Sequence, residues 1–232
     1  MNSVNILSGG AAQGLVASFA ADFKAHTGFE ISGEFGAVGA MADKLRNAAP
    51  TDLIILTAAL VARLADEGLV VPASITDVGT VETALAVRSG DPVLSVRTAD
   101  ELRAAFLAAD AIFVPDTKTS TAGIHVANVL HRLGIAESTA ARLQVYPNGA
   151  TAMRHLAAST AARPIGCTQS TEIISTKGVE LSGTLPPGCE LKTMYTAAIT
   201  TQAKSPAEAQ ILIDLLTSPE AQAARSRAGF VG

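Results

Sequence analysis

The chain has 232 residues, 48% of them hydrophobic and 16% charged, with a formal net charge of −4. That length and composition suit a globular protein with one large core or two smaller ones and exclude intrinsic disorder. Aromatics make up 4%, Trp is absent and no basic run occurs, so stacking platforms for single strands and the electrostatic footprint for duplexes are both missing; no nucleic-acid partner is expected.

Taken in order, Val4 to Leu7 reads as a strand. Ala12, Leu15, Val16, Phe19, Ala20 and Phe23 then recur at helical spacing, and Gly28 is placed to end that helix. Phe29 to Phe35 alternates as a second strand, Gly36 to Leu45 opens a second helix, and Asp52 to Leu56 is an apolar run typical of a strand covered on both faces. Leu60 to Leu69 is a third helix, and Thr80 to Arg88 is a longer extended run. Thr98 to Ala108 is a helix with Thr98 as N-cap and Glu101 at the capping-box position. Strands at Ala111 to Val114, Leu143 to Tyr146 and Pro164 to Cys167 alternate with helices at Thr121 to Leu133, Gly149 to Ala158 and from about Ser170. Met194 to Thr201 is extended again. Helices at Pro206 to Leu216 and Pro219 to Arg227 follow, each with Ser ahead of a Pro at its first position.

This strand–helix alternation predicts an α/β protein with parallel strands. The two long extended runs read as paired crossings between two lobes, residues 1–83 with 195–232 and residues 84–194. No Pro/Gly-rich linker divides them, which favours one hinged unit.

Bare backbone recurs where strands run into helices: at Ser8-Gly9-Gly10-Ala11-Ala12, at Phe35-Gly-Ala-Val-Gly-Ala40, at Leu56-Thr57 and at Asn148-Gly149. The first turn of a helix carries unpaired N–H donors and a partial positive charge, and small residues let an anion approach them. Ligands of open α/β sheets collect at that edge. Tight packing is the competing reason for small residues at any single junction; several such junctions in one chain favour an anion. A dinucleotide site fits poorly. Ala11 stands where the GxGxxG pattern needs its second glycine, although Glu34 is placed where a ribose-binding acid would sit. There is no P-loop.

Cys167 and Cys189 read as two buried thiols, with a disulfide left open. The four histidines and the cysteines have no metal-ligand spacing, so neither a metal nor another cofactor is expected. No apolar run is long enough to span a membrane. The N-terminus lacks a basic and apolar leader, which predicts a cytoplasmic protein as written, or a periplasmic one whose signal was removed.

The stretches Ser8 to Ala12, Phe35 to Leu45, Pro50 to Thr57, Thr121 to Ile135, Ile165 to Glu172 and Ser218 to Gln222 together resemble the molybdate-type (type II) periplasmic solute-binding proteins, a group that includes aconitate-isomerase-like members. The resemblance runs along nearly the whole chain. It implies two α/β lobes joined by two crossing strands, with a ligand held in the cleft between them. Carried over by position, the ligand contacts are Ser8, Gly10, Val38, Gly39, the loop Lys118, Thr119, Ser120, Thr121 to Gly123, and Gln169; the junctions add Gly9, Ala11 and Thr57. It implies a monomer that takes a small oxyanion or carboxylate and, if exported, meets the membrane subunits of a transporter.

The loop Lys118-Thr-Ser-Thr121 is richer in donors than a small tetrahedral oxyanion needs, and Lys118 adds a charge. The alternative is an isomerase that shifts a proton in a small unsaturated polycarboxylate. It would need a base, and Lys118, His125 and Glu172 are the candidates. His125, four residues inside its helix, also reads as a structural histidine, and Lys118 as a solvated one. Arg88 is placed either to reach a ligand or in an ordinary exposed turn.

Overall fold

The computed structural model describes residues 2–231. It contains β1 (Ser3–Gly9), α1 (Gln13–Thr27), β2 (Glu30–Gly36), α2 (Val38–Arg46), β3 (Leu53–Thr57), α3 (Ala58–Asp66), β4 (Thr76–Arg88), α4 (Ala99–Ala108), β5 (Ala111–Pro115) and α5 (Thr121–Arg132). Then come α6 (Ala136–Thr139), β6 (Leu143–Tyr146), α7 (Gly149–Ala157), β7 (Pro164–Gln169), α8 (Ser170–Ile174), β8 (Val179–Thr184), β9 (Lys192–Ile199), α9 (Pro206–Thr217), α10 (Gln222–Arg227) and β10 (Phe230–Val231). The chain forms two compact units. One runs to Val81 and resumes at Thr193; the other is Glu82–Lys192.

In the first unit β1 lies between β2 and β3 and runs parallel to both, with Ile6 opposite Gly33 on one side and Leu53 on the other. β9 closes the far side of β3 in antiparallel register, Leu53 opposite Ile199, and β10 pairs antiparallel with β4. The sheet is therefore mixed, not all parallel. Leu53 to Leu56 are fully buried, as their unbroken apolar run predicts, and they pack with Leu15, Phe23, Leu45, Leu64, Leu212, Ile213 and Phe230. β2 is the edge strand of this sheet, and its exposed middle is polar and charged, which blunts pairing with another chain. Gly28 takes the left-handed conformation at φ 74° and its N–H closes α1 on the Lys24 carbonyl. The Asp52 carboxylate, 2% exposed, accepts the N–H of Asn5 at 2.8 Å, of Lys204 at 2.6 Å and of Ser205 at 3.0 Å, tying the first strand to the chain's last quarter.

In the second unit the strands run β8-β4-β7-β5-β6, with β4 antiparallel to β7 and β8, and β5 parallel to β6 and β7. Period-2 alternation sorts the side chains into two cores. Leu85, Ile112, Val114, Ile165 and Cys167 face Leu102, Phe106, Val126 and Val129 of α4 and α5. Ala84, Ala86 and Phe113 face Met153 and Leu156 of α7. The capping box of α4 is formed as expected: Thr98 Oγ1 accepts the Glu101 N–H at 3.2 Å, and Glu101 Oε2 accepts the N–H of Thr98. The helix expected at Pro219 to Arg227 starts as a 3-10 turn, Pro219–Ala221, before α10. Cys167 and Cys189 are free and buried. Among the described residues no helix is long and apolar enough to cross a membrane.

Candidate functional site

In the first unit the parallel strands β1, β2 and β3 end at a common edge, and each leads into a helical start. The residues that cap these starts are Gly9 (φ −60°, ψ 145°), Ala37 (φ −63°, ψ 132°) and Thr57 (φ −66°, ψ 144°), and none offers a side-chain cap. Side-chain caps do form elsewhere, at Thr98, Asn148 and Ser218, while α6, α8, α9 and α10 start without one. Three adjacent helix starts are thus left with first-turn donors that no capping side chain takes, a concentration of partial positive charge without a charged residue. Ala11 and Val38 are buried there, and Gly10, Gly39 and Thr57 are half-buried.

Two of the expected contacts also have a packing role. Ser8 is fully buried and its hydroxyl donates to the Gly9 carbonyl at 2.9 Å. Gly9 has no room for a side chain: a Cβ would lie 2.8 Å from a Tyr195 ring carbon and 2.8 Å from Val38 Cγ1. Bareness at Gly9 is therefore demanded by close packing. Glu34, weighed as a ribose acid, pairs with Lys44 on the exposed edge.

In the second unit Asp116 organises the loop ahead of α5. Its Oδ1 accepts the N–H of Lys118 at 2.8 Å, the N–H of Thr119 at 2.7 Å and the Thr119 hydroxyl at 2.9 Å. The Lys118 N–H, followed by the Thr119 hydroxyl, holds this carboxyl below the usual range. Much of the loop's apparent richness in donors is thereby spent on Asp116. Lys118 itself is exposed. Ser120 precedes α5 without a side-chain cap, so α5 also begins with first-turn donors that no side chain caps, at Thr121 to Gly123. A Cβ on Gly123 would stand 2.1 Å from the Asp116 carbonyl oxygen, so this glycine lets the helix press against the end of β5. The His125 ring bonds the Cys189 carbonyl through Nε2 at 2.7 Å. Arg88 bonds the carbonyls of Ser159 and Ala161 and pairs with Asp91.

The Asn148-Gly149 junction differs from the others. Asn148 Oδ1 caps the Thr151 N–H at 2.8 Å. The Glu172 carboxylate, 5% exposed, accepts the Thr168 hydroxyl at 2.6 Å and the backbone N–H groups of Ala150, Gly149 and Gln169. A Cβ on Gly149 would stand 1.9 Å from Glu172 Oε2. This helix start is occupied by the chain's own Glu172 carboxyl. Burial pushes the Glu172 carboxyl above its ordinary range, against the pull of these donors.

On the opposite face of β7, Gln169 is 3% exposed, and neither Oε1 nor Nε2 has a hydrogen-bond partner among the described residues. The same holds for the hydroxyls of Thr83, 1% exposed, and Thr171, 3% exposed. Leaving a buried polar group unpaired costs about 1–3 kcal/mol, so these atoms are places where a water or a ligand group would bond. The sequence pointed to Gln169 only through the family resemblance. Thr83 and Thr171 were missed; Thr83 heads the apolar run Ala84 to Val87, and Thr171, between Ser170 and Glu172, gave no signal. Among the described residues no group of three His, Cys, Asp or Glu side chains gathers as a metal site.

The model of the bacterial extracellular solute-binding protein family matches residues 4–231. The periplasmic molybdate-binding protein of Azotobacter vinelandii superposes with a TM-score of 0.81 at 20% identity, covering 99% of each chain. A sulfate-binding protein of Mycobacterium tuberculosis gives 0.74 at 17% identity, over 99% of this chain and 86% of that one. An aconitate isomerase of a Pseudomonas species is 23% identical over 99% of this chain and 88% of its own length.

Proposed function

Since the chain belongs to the bacterial extracellular solute-binding proteins, we propose that it captures a small oxyanion or carboxylate through backbone N–H groups and hydroxyls. The observation that carries this reading is the set of three helix starts without side-chain caps, at Gly9, Ala37 and Thr57, on one edge of three parallel strands. Helix N-termini bind anions without a net positive field, which suits a chain of formal charge −4. In the second unit, the α5 start and the neutral groups around Gln169 offer further donors of the same kind. The protein works outside the cytoplasm as a monomer and hands its ligand to transporter membrane subunits.

A thermal-shift screen of molybdate, sulfate, phosphate and mono-, di- and tricarboxylates tests this. A ligand present at one hundred times its Kd stabilises the native state by about 2.7 kcal/mol, a readily seen rise in Tm. Gly10→Val should abolish that rise while the unliganded Tm stays within a few degrees of wild type. A full response from Gly10→Val places the site elsewhere.

The isomerase alternative draws its support from the aconitate isomerase relative. Its base candidates are weakly placed: His125 is engaged with the Cys189 carbonyl, Lys118 is exposed, and Glu172 is enclosed by its own donors. We therefore favour a binder. Exchange of a ligand C–H for deuterium in heavy water, lost in Lys118→Ala, would reverse that preference.

A further inference from the structure

We propose that Thr83, Gln169 and Thr171 of the second unit bind a hydroxyl, or a similar group that both donates and accepts, on the small anion that the chain takes. This deepens the anion-binding reading and rests on it. Thr83 and Gln169 stand directly opposite each other in the antiparallel β4–β7 pair, so their side chains leave the same face of the sheet. Thr171 follows two residues later, in α8. All three are buried and neutral, and four of their polar atoms are unpartnered among the described residues.

The chemistry of that group is selective. Whichever way the Gln169 amide is turned, it presents one carbonyl oxygen and one NH2. The NH2 and the two hydroxyls can donate to any anion. The carbonyl needs a donor. A fully deprotonated tetrahedral oxyanion has only acceptors, so it would leave the carbonyl facing its lone pairs. A hydroxyl satisfies both needs at once. The donors at the start of α7 do not compensate, because Glu172 already occupies the N–H groups of Gly149 and Ala150. The ligand class that fits is a small hydroxycarboxylate.

Calorimetric titration of the full chain with matched pairs of equal charge tests this: glycolate against acetate, L-malate against succinate, citrate against tricarballylate, with molybdate and sulfate alongside. In at least one pair the hydroxylated member should bind ten times tighter or more, since a site built to bond a hydroxyl rejects the analogue that lacks it. Thr83→Val keeps the shape and removes the hydroxyl; it should cut the advantage to threefold or less, and Gln169→Leu should do the same. Equal binding within every pair by the wild type overturns the inference. So does tighter binding of molybdate or sulfate than of every hydroxy acid, or an unchanged ratio in both variants. If none of these anions binds, the anion-binding reading falls and takes this inference with it. If anions bind but the hydroxyl makes no difference, only the inference falls.

Discussion

Glu172, a candidate base in the sequence, is held in the structure by partners that its own neighbourhood in the chain does not reveal. The sequence marked it as an acid near a helix start, and nothing local revealed that its partners are Gly149 and Ala150, more than twenty positions earlier. That contact is long-range and has no periodic signature. The tight approach makes Gly149→Ala destabilising by about 1–3 kcal/mol, the usual cost of an added methyl without room, measurable by urea unfolding. Glu172 also carries a pH signature. Its unfolded pKa is near the ordinary glutamate value of about 4.5 and its folded pKa is higher, so between the two the native state holds more protons. Stability from this residue is then fully present below about 4.5 and falls as pH rises toward the folded value. Glu172→Gln removes that dependence. The stability of wild type minus that of the variant should fall as pH is raised above about 4.5; a difference that rises contradicts the raised carboxyl. At Cys167, burial pushes the thiol upward, so it should resist thiol reagents until the protein unfolds.

At the scale of elements, the sequence was most legible where a local rule had no competitor. Gly28 as a left-handed terminator and the Thr98–Glu101 capping box both formed. Thr98→Ala should cost about 1 kcal/mol and leave ligand binding unchanged, since the box lies on a helix that caps itself. β8 was not foreseen. Of its residues Val-Glu-Leu-Ser-Gly-Thr only Val179 is buried and three are exposed, so the alternation that a half-buried strand needs is absent, and it is defined by its pairing with β4. The parallel sheet was foreseen only in part, because antiparallel pairing by β9 and β10 depends on where the chain returns, which composition does not encode. The bare Ser8–Ala12 junction turns out to hold two different glycines. Gly9→Ala should lower stability by about 1–3 kcal/mol by crowding Tyr195 and Val38, whereas Gly10→Val should act on binding. Denaturant midpoints and ligand titrations on the two variants separate these effects.

For the molecule as a whole, the two units differ in how the chain builds them. Glu82–Lys192 is one continuous segment, while the other unit needs both ends of the sequence. A fragment spanning 82–192 should unfold cooperatively on heating. A fragment ending near residue 190 should leave the first unit without β9, α9 and the N–H groups that satisfy Asp52, and its amides there should exchange freely with solvent. The same arrangement sets a timetable during synthesis. The opening strands leave the ribosome first, yet the strand that closes their sheet lies more than a hundred residues downstream. About 110 residues separate Val81 from Thr193, where the first unit resumes, and at about 5–20 residues per second they take roughly 6–22 s to make. Through that interval the opening strands are still a polymer looking for a partner, available to chaperones or to threading through a pore, and they become a folded body only once β9 has followed them out.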